Sequence, residues 1–220
     1  MIRAVIFDMD GVIADTEPLH KRARDKLLAE LGLDVEEISP TAIGRSKRAF
    51  WSDVIGKCNL SHYTTDELTE REFVILIQII REGRIRPTEG LCELLDFLRQ
   101  NGIVTAVASS SDRNYVDTVL EVAGLADRFD YSACGNEVPA AKPAPDVYLK
   151  ALRLCGVSAD QAVAVEDSDT GIKAAKTAGL YCIGFDVFLD ENFRQKFTLA
   201  DVVIHDMRKV ISLIDARLEK

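Results

Sequence analysis

The chain has 220 residues, and its 27 lysine and arginine residues against 36 aspartate and glutamate residues give a formal net charge of −9. Apolar residues make up 47% and charged residues 29%, a balance typical of folded globular proteins that excludes wholesale disorder and a collagen-like structure. A general nucleic-acid binder usually carries the opposite sign of charge, so no nucleic-acid partner is expected.

The cysteines and the apolar runs bear on compartment and membrane. The five cysteines are scattered and contain no CxxC pair, which fits a reducing cytosol better than a disulfide framework or a zinc site. The first apolar run stops at Asp8, too early for a signal peptide. The longest apolar stretch, 73–80, is far shorter than the roughly 20 residues of a membrane span. We therefore expect a cytoplasmic monomer without a membrane segment.

Short apolar runs rich in valine and isoleucine alternate with helical patterns along most of the chain. Runs of this length that are apolar throughout are typical of strands covered on both faces in a parallel sheet. The predicted strands are 2–7, 103–108, a weaker 129–134, 162–165, 180–185 and 202–204. The predicted helices between them, each followed or closed by a glycine, are 89–101, 112–123, 145–155 and 169–178. This alternation predicts an α/β fold with a Rossmann-like, doubly wound parallel sheet.

The segment just after the first strand has a different pattern. Helical periodicity is found at 20–31, 46–55 and 66–80, and only the stretch 73–80 is compatible with either a helix or a strand. We therefore predict two domains. An all-helical insert of residues 16–85 interrupts an α/β core made of residues 1–15 and 86–220.

Polar side chains follow three of the predicted strands. Asp8 and Asp10 come after the first strand, a run of three serines begins at Ser109, and Glu166 and Asp167 follow the strand 162–165. Ligands of open α/β sheets bind outside the carboxyl ends of the strands, so these groups should converge. Four clustered carboxylates repel one another unless a hard cation relieves them, and oxygen-only ligands suit Mg²⁺.

Each of these motifs has a plain structural explanation when taken alone. An Asp-x-Asp pair is often a solvated turn, and the serine run before Asp112 is a reasonable helix cap. Lys142 is compatible with an exposed loop, and the acidic run 166–169 with a helix N-terminus. Their joint occurrence, in this order and near strand ends, favours a functional site.

Four segments resemble the four signatures of the haloacid dehalogenase superfamily. They are Phe7-Asp8-Met9-Asp10-Gly11-Val12, Val107-Ala108-Ser109-Ser110-Ser111, Lys142-Pro143-Ala144-Pro145-Asp146 and the segment 165–172. The resemblance covers almost the whole chain, and the helical insert lies where that family carries a C1-type cap. It is greatest to the branch that holds β-phosphoglucomutase and small sugar-phosphate phosphatases.

The resemblance implies an aspartyl-phosphate mechanism. Asp8 is similar to the nucleophile that attacks the substrate phosphorus, and Asp10 to the general acid and base that protonates the leaving alkoxide. The true dehalogenases lack an aspartate two residues after the nucleophile, so Asp10 disfavours cleavage of a carbon–halogen bond. The resemblance also implies that Mg²⁺ is held by Asp8, Asp10 through its backbone carbonyl, Glu166 and Asp167.

The same resemblance implies which residues bind the phosphoryl group. Ser109 would donate a hydrogen bond to it, and backbone N–H groups of neighbours such as Ser110 would add to this at a helix start. Lys142 would neutralise charge on the nucleophile and on the transferring group.

The cap resembles that of the mutase branch less closely. Lys47 stands where that branch has an arginine that grips a second phosphate, and lysine cannot make the bidentate fork of arginine. Glu72 stands where the branch has a cationic cap residue. Arg45 is one candidate to substitute for the missing arginine. The implied substrate-binding residues of the cap are Thr16, His20, Gly44, Arg45 and Lys47.

Three functions are compatible with the sequence. The first is a Mg²⁺-dependent phosphatase acting on a small phosphorylated metabolite, such as a sugar or polyol phosphate. The second is a β-phosphoglucomutase-like isomerase. The third is a non-catalytic sensor of a phosphorylated ligand, which has no need of both Asp8 and Asp10. The departures at Lys47 and Glu72 favour the phosphatase over the mutase.

Overall fold

The structure, a computed structural model, describes residues 1–42, 45–186 and 195–218. The chain divides into two compact units. One consists of Met1–Asp15 and Ile85–Lys220, and the other of Thr16–Arg84. We call them the core and the cap.

The core contains a six-stranded sheet in which every pair of neighbouring strands is parallel. The strands lie in the order β3-β2-β1-β4-β5-β6, so the chain winds first to one side of β1 and then to the other. This confirms the predicted doubly wound α/β fold. The strands are β1 Ala4–Phe7, β2 Val104–Ala108, β3 Tyr131–Ala133, β4 Ala162–Glu166, β5 Tyr181–Phe185 and β6 Val202–Ile204.

The helices follow the predicted patterns with small shifts at their ends. In chain order they are α1 Glu17–Glu30, α2 Val35–Ile38, α3 Lys47–Lys57, α4 Thr65–Glu82, α5 Leu91–Gln100, α6 Arg113–Val122, α7 Asp146–Cys155, α8 Asp169–Thr177 and α9 Lys209–Leu218. The sequence analysis did not predict α2 or α9. Within the described part of the chain, no helix is long and apolar enough to cross a membrane. All five cysteines are free, as expected.

In the cap, the ambiguous stretch 73–80 is helical because it continues the periodicity of α4. Leu68, Leu76 and Ile80 are buried at spacings of eight and four residues, whereas Val74 is exposed. A capping box also starts this helix: Thr64 Oγ1 accepts from the backbone N–H of Glu67, and the Glu67 carboxylate accepts from the N–H of Thr64. The described residues of the cap therefore form helices and connecting turns, with no strand among them.

Strand register positions the polar residues. Phe7 at the end of β1 pairs with Val107 of β2 on one side and with Val165 of β4 on the other. The residues that follow these positions therefore leave the sheet at a common edge, in the middle of the fold where the winding reverses.

Candidate active site

Lys142 joins two carboxylates at this edge. Its ammonium donates to Asp8 Oδ1, to Glu166 Oε1 at 2.6 Å and to the carbonyl oxygen of Ala108 at 2.9 Å. Only 7% of the Lys142 side chain is exposed, so water contributes little to its solvation. The three acceptors match the three donor protons of an ammonium group and hold it beside Asp8.

Glu166 is fully buried and has both oxygens engaged. Its Oε1 accepts from Lys142 and from the Tyr148 hydroxyl at 2.7 Å, and its Oε2 accepts from the N–H and the hydroxyl of Ser168 at 3.3 and 3.1 Å. A carboxylate offers about four acceptor positions, and these four hydrogen bonds use them. The arrangement makes Glu166 the residue that orients Lys142.

The carboxylates of Asp8, Glu166 and Asp167 form a cluster whose ligand oxygens all lie within 4.8 Å of one another. Gly11 makes this approach possible: its φ is +79°, and a Cβ at this position would overlap Asp167 Oδ2. An oxygen-only donor set of this kind fits Mg²⁺ in its chemistry. Because Glu166 is occupied by hydrogen bonds, Asp8 and Asp167 are the side chains of the cluster best suited to hold the ion.

The charges of the cluster perturb one another. Burial raises the pKa of Asp8 to about 7; Lys142 opposes this shift, whereas the charges of Glu166 and Asp10 add to it. Burial, with the charges of Asp8 and Glu166, also raises the pKa of Asp167 well above its usual range. Burial by itself lowers the pKa of Lys142, but the charges of Asp8 and Glu166 outweigh it and hold that pKa above its usual range. The site thus combines a permanent cation with carboxylates that a further cation would stabilise.

Asp10 lies in the turn after β1 and is held by a residue that the sequence analysis missed. The hydroxyl of Tyr115 in α6 donates to Asp10 Oδ1 at 2.8 Å, and the hydroxyl of Ser111 lies 3.5 Å from Oδ2. The carboxylate of Asp10 is not among the three that cluster. The sequence does place a tyrosine in the first turn of the helix that follows the serine run. Packing alone explains a buried aromatic residue at such a position, so the sequence did not indicate a contact with Asp10.

The two serines assigned to phosphoryl binding differ in their surroundings. Ser109 is 1% exposed; its N–H donates to the carbonyl oxygen of Ala133 at 3.0 Å, and its hydroxyl accepts from the N–H of Ser111 at 3.1 Å. Ser110 is exposed. Asp112 occupies the N-cap position of α6 but makes no capping hydrogen bond with its side chain. Of the two serines, Ser109 therefore has the more constrained side chain.

The basic residues predicted to bind substrate lie beside acidic residues within the cap. Arg45 donates to Asp53 at 3.2 Å and to the carbonyl oxygen of Ala49 at 2.9 Å. The Lys47 ammonium lies 3.7 Å from Oε1 of Glu72, which is 1% exposed. Each of these cationic charges is therefore partly neutralised by a neighbouring carboxylate.

Glu72 itself is held by a contact absent from the sequence analysis. The indole N–H of Trp51 donates to Glu72 Oε2 at 2.6 Å. Of the remaining predicted cap residues, Thr16 is the N-cap of α1 and the backbone N–H of His20 donates to its carbonyl oxygen at 3.2 Å. Gly44 lies outside the described residues.

Comparison with known proteins identifies the family. Residues 2–179 match the family of haloacid dehalogenase-like hydrolases, and the chain belongs to it. Hexitol phosphatase B of Escherichia coli is 31% identical over 212 residues, which are 95% of this chain and 94% of that protein. The chain spans 18% of the longer plant protein SUPPRESSOR OF QUENCHING 1 of Arabidopsis thaliana, to which it is 32% identical.

Two solved structures extend the likeness. A mutant of CbbY from Rhodobacter sphaeroides, in complex with xylulose-(1,5)bisphosphate, is 29% identical with a TM-score of 0.78 and coverage of 95% and 96% of the two chains. A protein from Thermotoga maritima assigned as a beta-phosphoglucomutase is 26% identical with a TM-score of 0.81 and coverage of 98% and 99%. Both confirm the resemblance to the sugar-phosphate branch of the family.

Proposed function

We propose that the protein is a Mg²⁺-dependent phosphatase that hydrolyses a small sugar or polyol phosphate through an aspartyl-phosphate on Asp8. The observation that carries this proposal is the Lys142 ammonium, which donates to both Asp8 and Glu166 beside a cluster of carboxylate oxygens. A buried nucleophile next to a fixed cation is the arrangement that phosphoryl transfer requires. The name of hexitol phosphatase B and the bisphosphate bound to CbbY support a phosphorylated carbohydrate as substrate.

The reaction proceeds in two displacements. An oxygen of Asp8 attacks the phosphorus, the bond from phosphorus to the leaving alkoxide breaks, and Asp10 gives its proton to that alkoxide. Water then attacks the aspartyl-phosphate and returns a proton to Asp10. The bond from phosphorus to Asp8 breaks, and inorganic phosphate is released. Asp10 thus ends each cycle with the proton that it began with.

The other residues of the site bind and orient the phosphoryl group. Lys142 neutralises the negative charge that Asp8 and the phosphoryl group bring together, and the Ser109 hydroxyl donates to a phosphoryl oxygen. Asp8 and Asp167 would hold Mg²⁺, together with the backbone carbonyl of Asp10. Glu166 assists by orienting Lys142. When bound, the ion supplies positive charge to the transferring phosphoryl group and relieves repulsion among the carboxylates.

The cap residues contact the part of the substrate that is not transferred. Lys47 and Arg45 are proposed to bind it, together with Thr16, His20 and Gly44. Because Glu72 lies 3.7 Å from the Lys47 ammonium, it weakens the attraction of that lysine for a second phosphate. The cap therefore favours a monophosphate with distal hydroxyl groups over a bisphosphate. The free cysteines fit a cytoplasmic protein, which we propose acts as a monomer.

Asp8→Asn tests the covalent mechanism. The variant keeps the shape of the nucleophile but loses its attacking charge, so Mg²⁺-dependent phosphate release from a panel of sugar and polyol phosphates should fall by at least about 1,000-fold. Circular dichroism should show an unchanged fold. Asp127→Asn serves as the control, because it makes the same chemical change at an exposed aspartate that is not among the proposed site residues. Hydrolysis by Asp8→Asn within tenfold of the wild type would exclude an aspartyl-phosphate at this position.

A further inference from the structure

We infer that Glu137 is a positioning residue for the serine run after β2: through Arg113 it fixes the loop that carries Ser109, and so sets the affinity of the site for the phosphoryl group. The inference rests on the proposed phosphatase function. It adds to the site a residue of the loop after β3, which belongs to none of the four sequence motifs.

The carboxylate of Glu137 joins three segments of the core. The Arg113 guanidinium donates to it from Nε at 3.1 Å and from Nη2 at 3.0 Å, a two-point contact that gives an arginine–carboxylate pair a defined orientation. The backbone N–H of Cys134 and the ammonium of Lys150 each donate to Oε2 at 3.0 Å. These partners lie in α6, in the loop after β3 and in α7, so the position of Glu137 is fixed relative to all three.

Arg113, the first residue of α6, is tied to β3 and to the loop after it. Its guanidinium donates to the carbonyl oxygen of Ser132 at 2.8 Å and also to the hydroxyl of that serine. Its backbone N–H donates to the side-chain oxygen of Asn136 at 3.1 Å. Asp112 at the N-cap makes no capping hydrogen bond with its side chain, so Asn136 satisfies a helix donor from another segment. The start of α6 is thus held by residues of the β3 region.

The serine run lies directly before this helix and contacts the same loop through its backbone. The N–H of Ser109 donates to the carbonyl oxygen of Ala133 at 3.0 Å, and the N–H of Gly135 donates to that of Ser111 at 2.8 Å. A Cβ on Gly135 would overlap the carbonyl oxygen of Ser110, so the two loops touch without a side chain between them. The geometry of the serine run therefore depends on the loop after β3.

The connection that contains Glu137 also supplies Lys142, a few residues later. The Lys142 ammonium donates back to the carbonyl oxygen of Ala108 at 2.9 Å, at the end of β2. The two side chains proposed to bind the phosphoryl group, Ser109 and Lys142, thus belong to two loops that the pair of Glu137 and Arg113 holds together. Because affinity depends on donors that are already in place, loss of this pair should weaken phosphate binding.

The test measures the inhibition constant of inorganic phosphate, and KM for sorbitol 6-phosphate and 4-nitrophenyl phosphate, with the Mg²⁺-loaded protein. Glu137→Gln keeps the size of the side chain and removes its charge. We expect all three constants to rise by about fivefold or more, because the phosphoryl group is common to the three compounds. A variant that is merely less stable has fewer active molecules, which lowers the apparent kcat and leaves these constants unchanged.

Asp117→Asn is the matched control. Asp117 accepts from the same arginine at 3.3 Å, but this pair lies within α6. Removal of its charge should change the three constants by less than about twofold. Arg113→Met removes the shared partner and should raise the constants at least as much as Glu137→Gln, which keeps the inference testable if Glu137→Gln does not fold. In the Arg113→Met background, adding Glu137→Gln should change them by less than about a further twofold.

Three results would overturn the inference. They are unchanged constants in Glu137→Gln, an equal rise in Asp117→Asn, and additive effects of Glu137→Gln and Arg113→Met in the double variant. If the wild type hydrolyses neither substrate, the proposed function fails and the inference fails with it. In an active wild type, the variants test the role of Glu137 alone.

Discussion

Lys142 and Glu166 show how single contacts decide the role of a charged residue. A buried carboxylate that accepts four hydrogen bonds, as Glu166 does, has little remaining capacity to bind a metal ion. Asp167 belongs to the same cluster and is the better candidate of the two to bind the ion. Lys142 keeps its charge because two carboxylates accept from it. Burial of an ammonium group is tolerated only with such partners.

Glu166 and Asp167 should respond differently to removal of their charge. Asp167→Asn is expected to raise the Mg²⁺ concentration needed for half-maximal activity by about tenfold or more, because the proposed metal ligand loses its charge. Glu166→Gln is expected to lower kcat by a similar factor while changing that concentration by less than about threefold, because it disturbs the orientation of Lys142. Phosphate release titrated with Mg²⁺ measures both. A larger shift in the Mg²⁺ requirement for Glu166→Gln than for Asp167→Asn would refute the division of roles.

Binding of Mg²⁺ should weaken as the pH falls. The pKa of Asp8 is raised to about 7 in the metal-free protein, so below that pH the carboxyl is protonated and a proton must leave before the ion binds. Lowering the pH from 8 to 6 is therefore expected to reduce the affinity by about tenfold, and the raised pKa of Asp167 adds to the loss. Calorimetric titration in two buffers of different ionisation enthalpy measures the affinity and the released protons together. An affinity that is constant between these pH values contradicts the prediction.

The turn after β1 is the element on which the site depends most. It must bring Asp8 and Asp10 out of the sheet and still allow Asp167 to approach its backbone. A glycine is required there for two separate reasons, the positive φ of Gly11 and the close approach of the Asp167 carboxylate. The two requirements can be separated by comparison with a glycine that has only the first.

Gly11→Ala should therefore damage the site as well as the stability. Gly102 is the matched control, because its φ is +65° and a Cβ there would meet nothing within 4 Å. Both variants are expected to lower the free energy of unfolding by about 1 kcal/mol through the strain of a positive φ. Only Gly11→Ala should also raise the Mg²⁺ requirement, by about tenfold, since Asp167 must move. Urea denaturation and Mg²⁺-dependent activity measure the two effects, and equal Mg²⁺ requirements in the two variants would argue against the close approach.

At the scale of the whole molecule, the core chemistry is shared by a phosphatase and a mutase. The two activities differ in whether water or a second sugar hydroxyl reaches the aspartyl-phosphate, so residues such as Asp8 and Lys142 do not distinguish them. The cap residues proposed to bind the rest of the substrate are where the two activities are expected to differ. There the buried Glu72 lies beside Lys47 and weakens its attraction for a second phosphate. This pairing bears on the choice between hydrolysis and isomerisation.

With β-glucose 1-phosphate and a trace of the bisphosphate supplied, phosphate release should exceed formation of glucose 6-phosphate. Lys47→Ala should raise KM for a sugar phosphate by about tenfold and leave hydrolysis of an aryl phosphate, which lacks the distal part, within about twofold. Arg48→Ala is the control, since Arg48 pairs with the exposed Asp66 at 2.7 Å. A coupled assay for glucose 6-phosphate, run beside a phosphate-release assay, measures the rates of isomerisation and hydrolysis. Isomerisation a hundredfold faster than hydrolysis would establish the mutase instead.

The sequence by itself determined the order of the strands and of every helix except α2 and α9, the parallel sheet and the placement of the polar motifs at strand ends. These features depend on local apolar periodicity and on helix stop signals, which are written in neighbouring residues. The ambiguity at 73–80 arose because a short apolar run satisfies both periods, and the burial of Leu76 and Ile80 in α4 decided it.

Only the tertiary structure decided which side chains meet. The contact of Tyr115 with Asp10 joins residues 105 positions apart, that of Tyr148 with Glu166 joins different elements, and that of Trp51 with Glu72 joins two helices of the cap. Such pairs depend on how a packed helix is rotated and on the strand register. Neither can be read from the identity of a single residue. A buried tyrosine or tryptophan is explained equally well by packing, so its polar atom acquires a role only when its partner is seen.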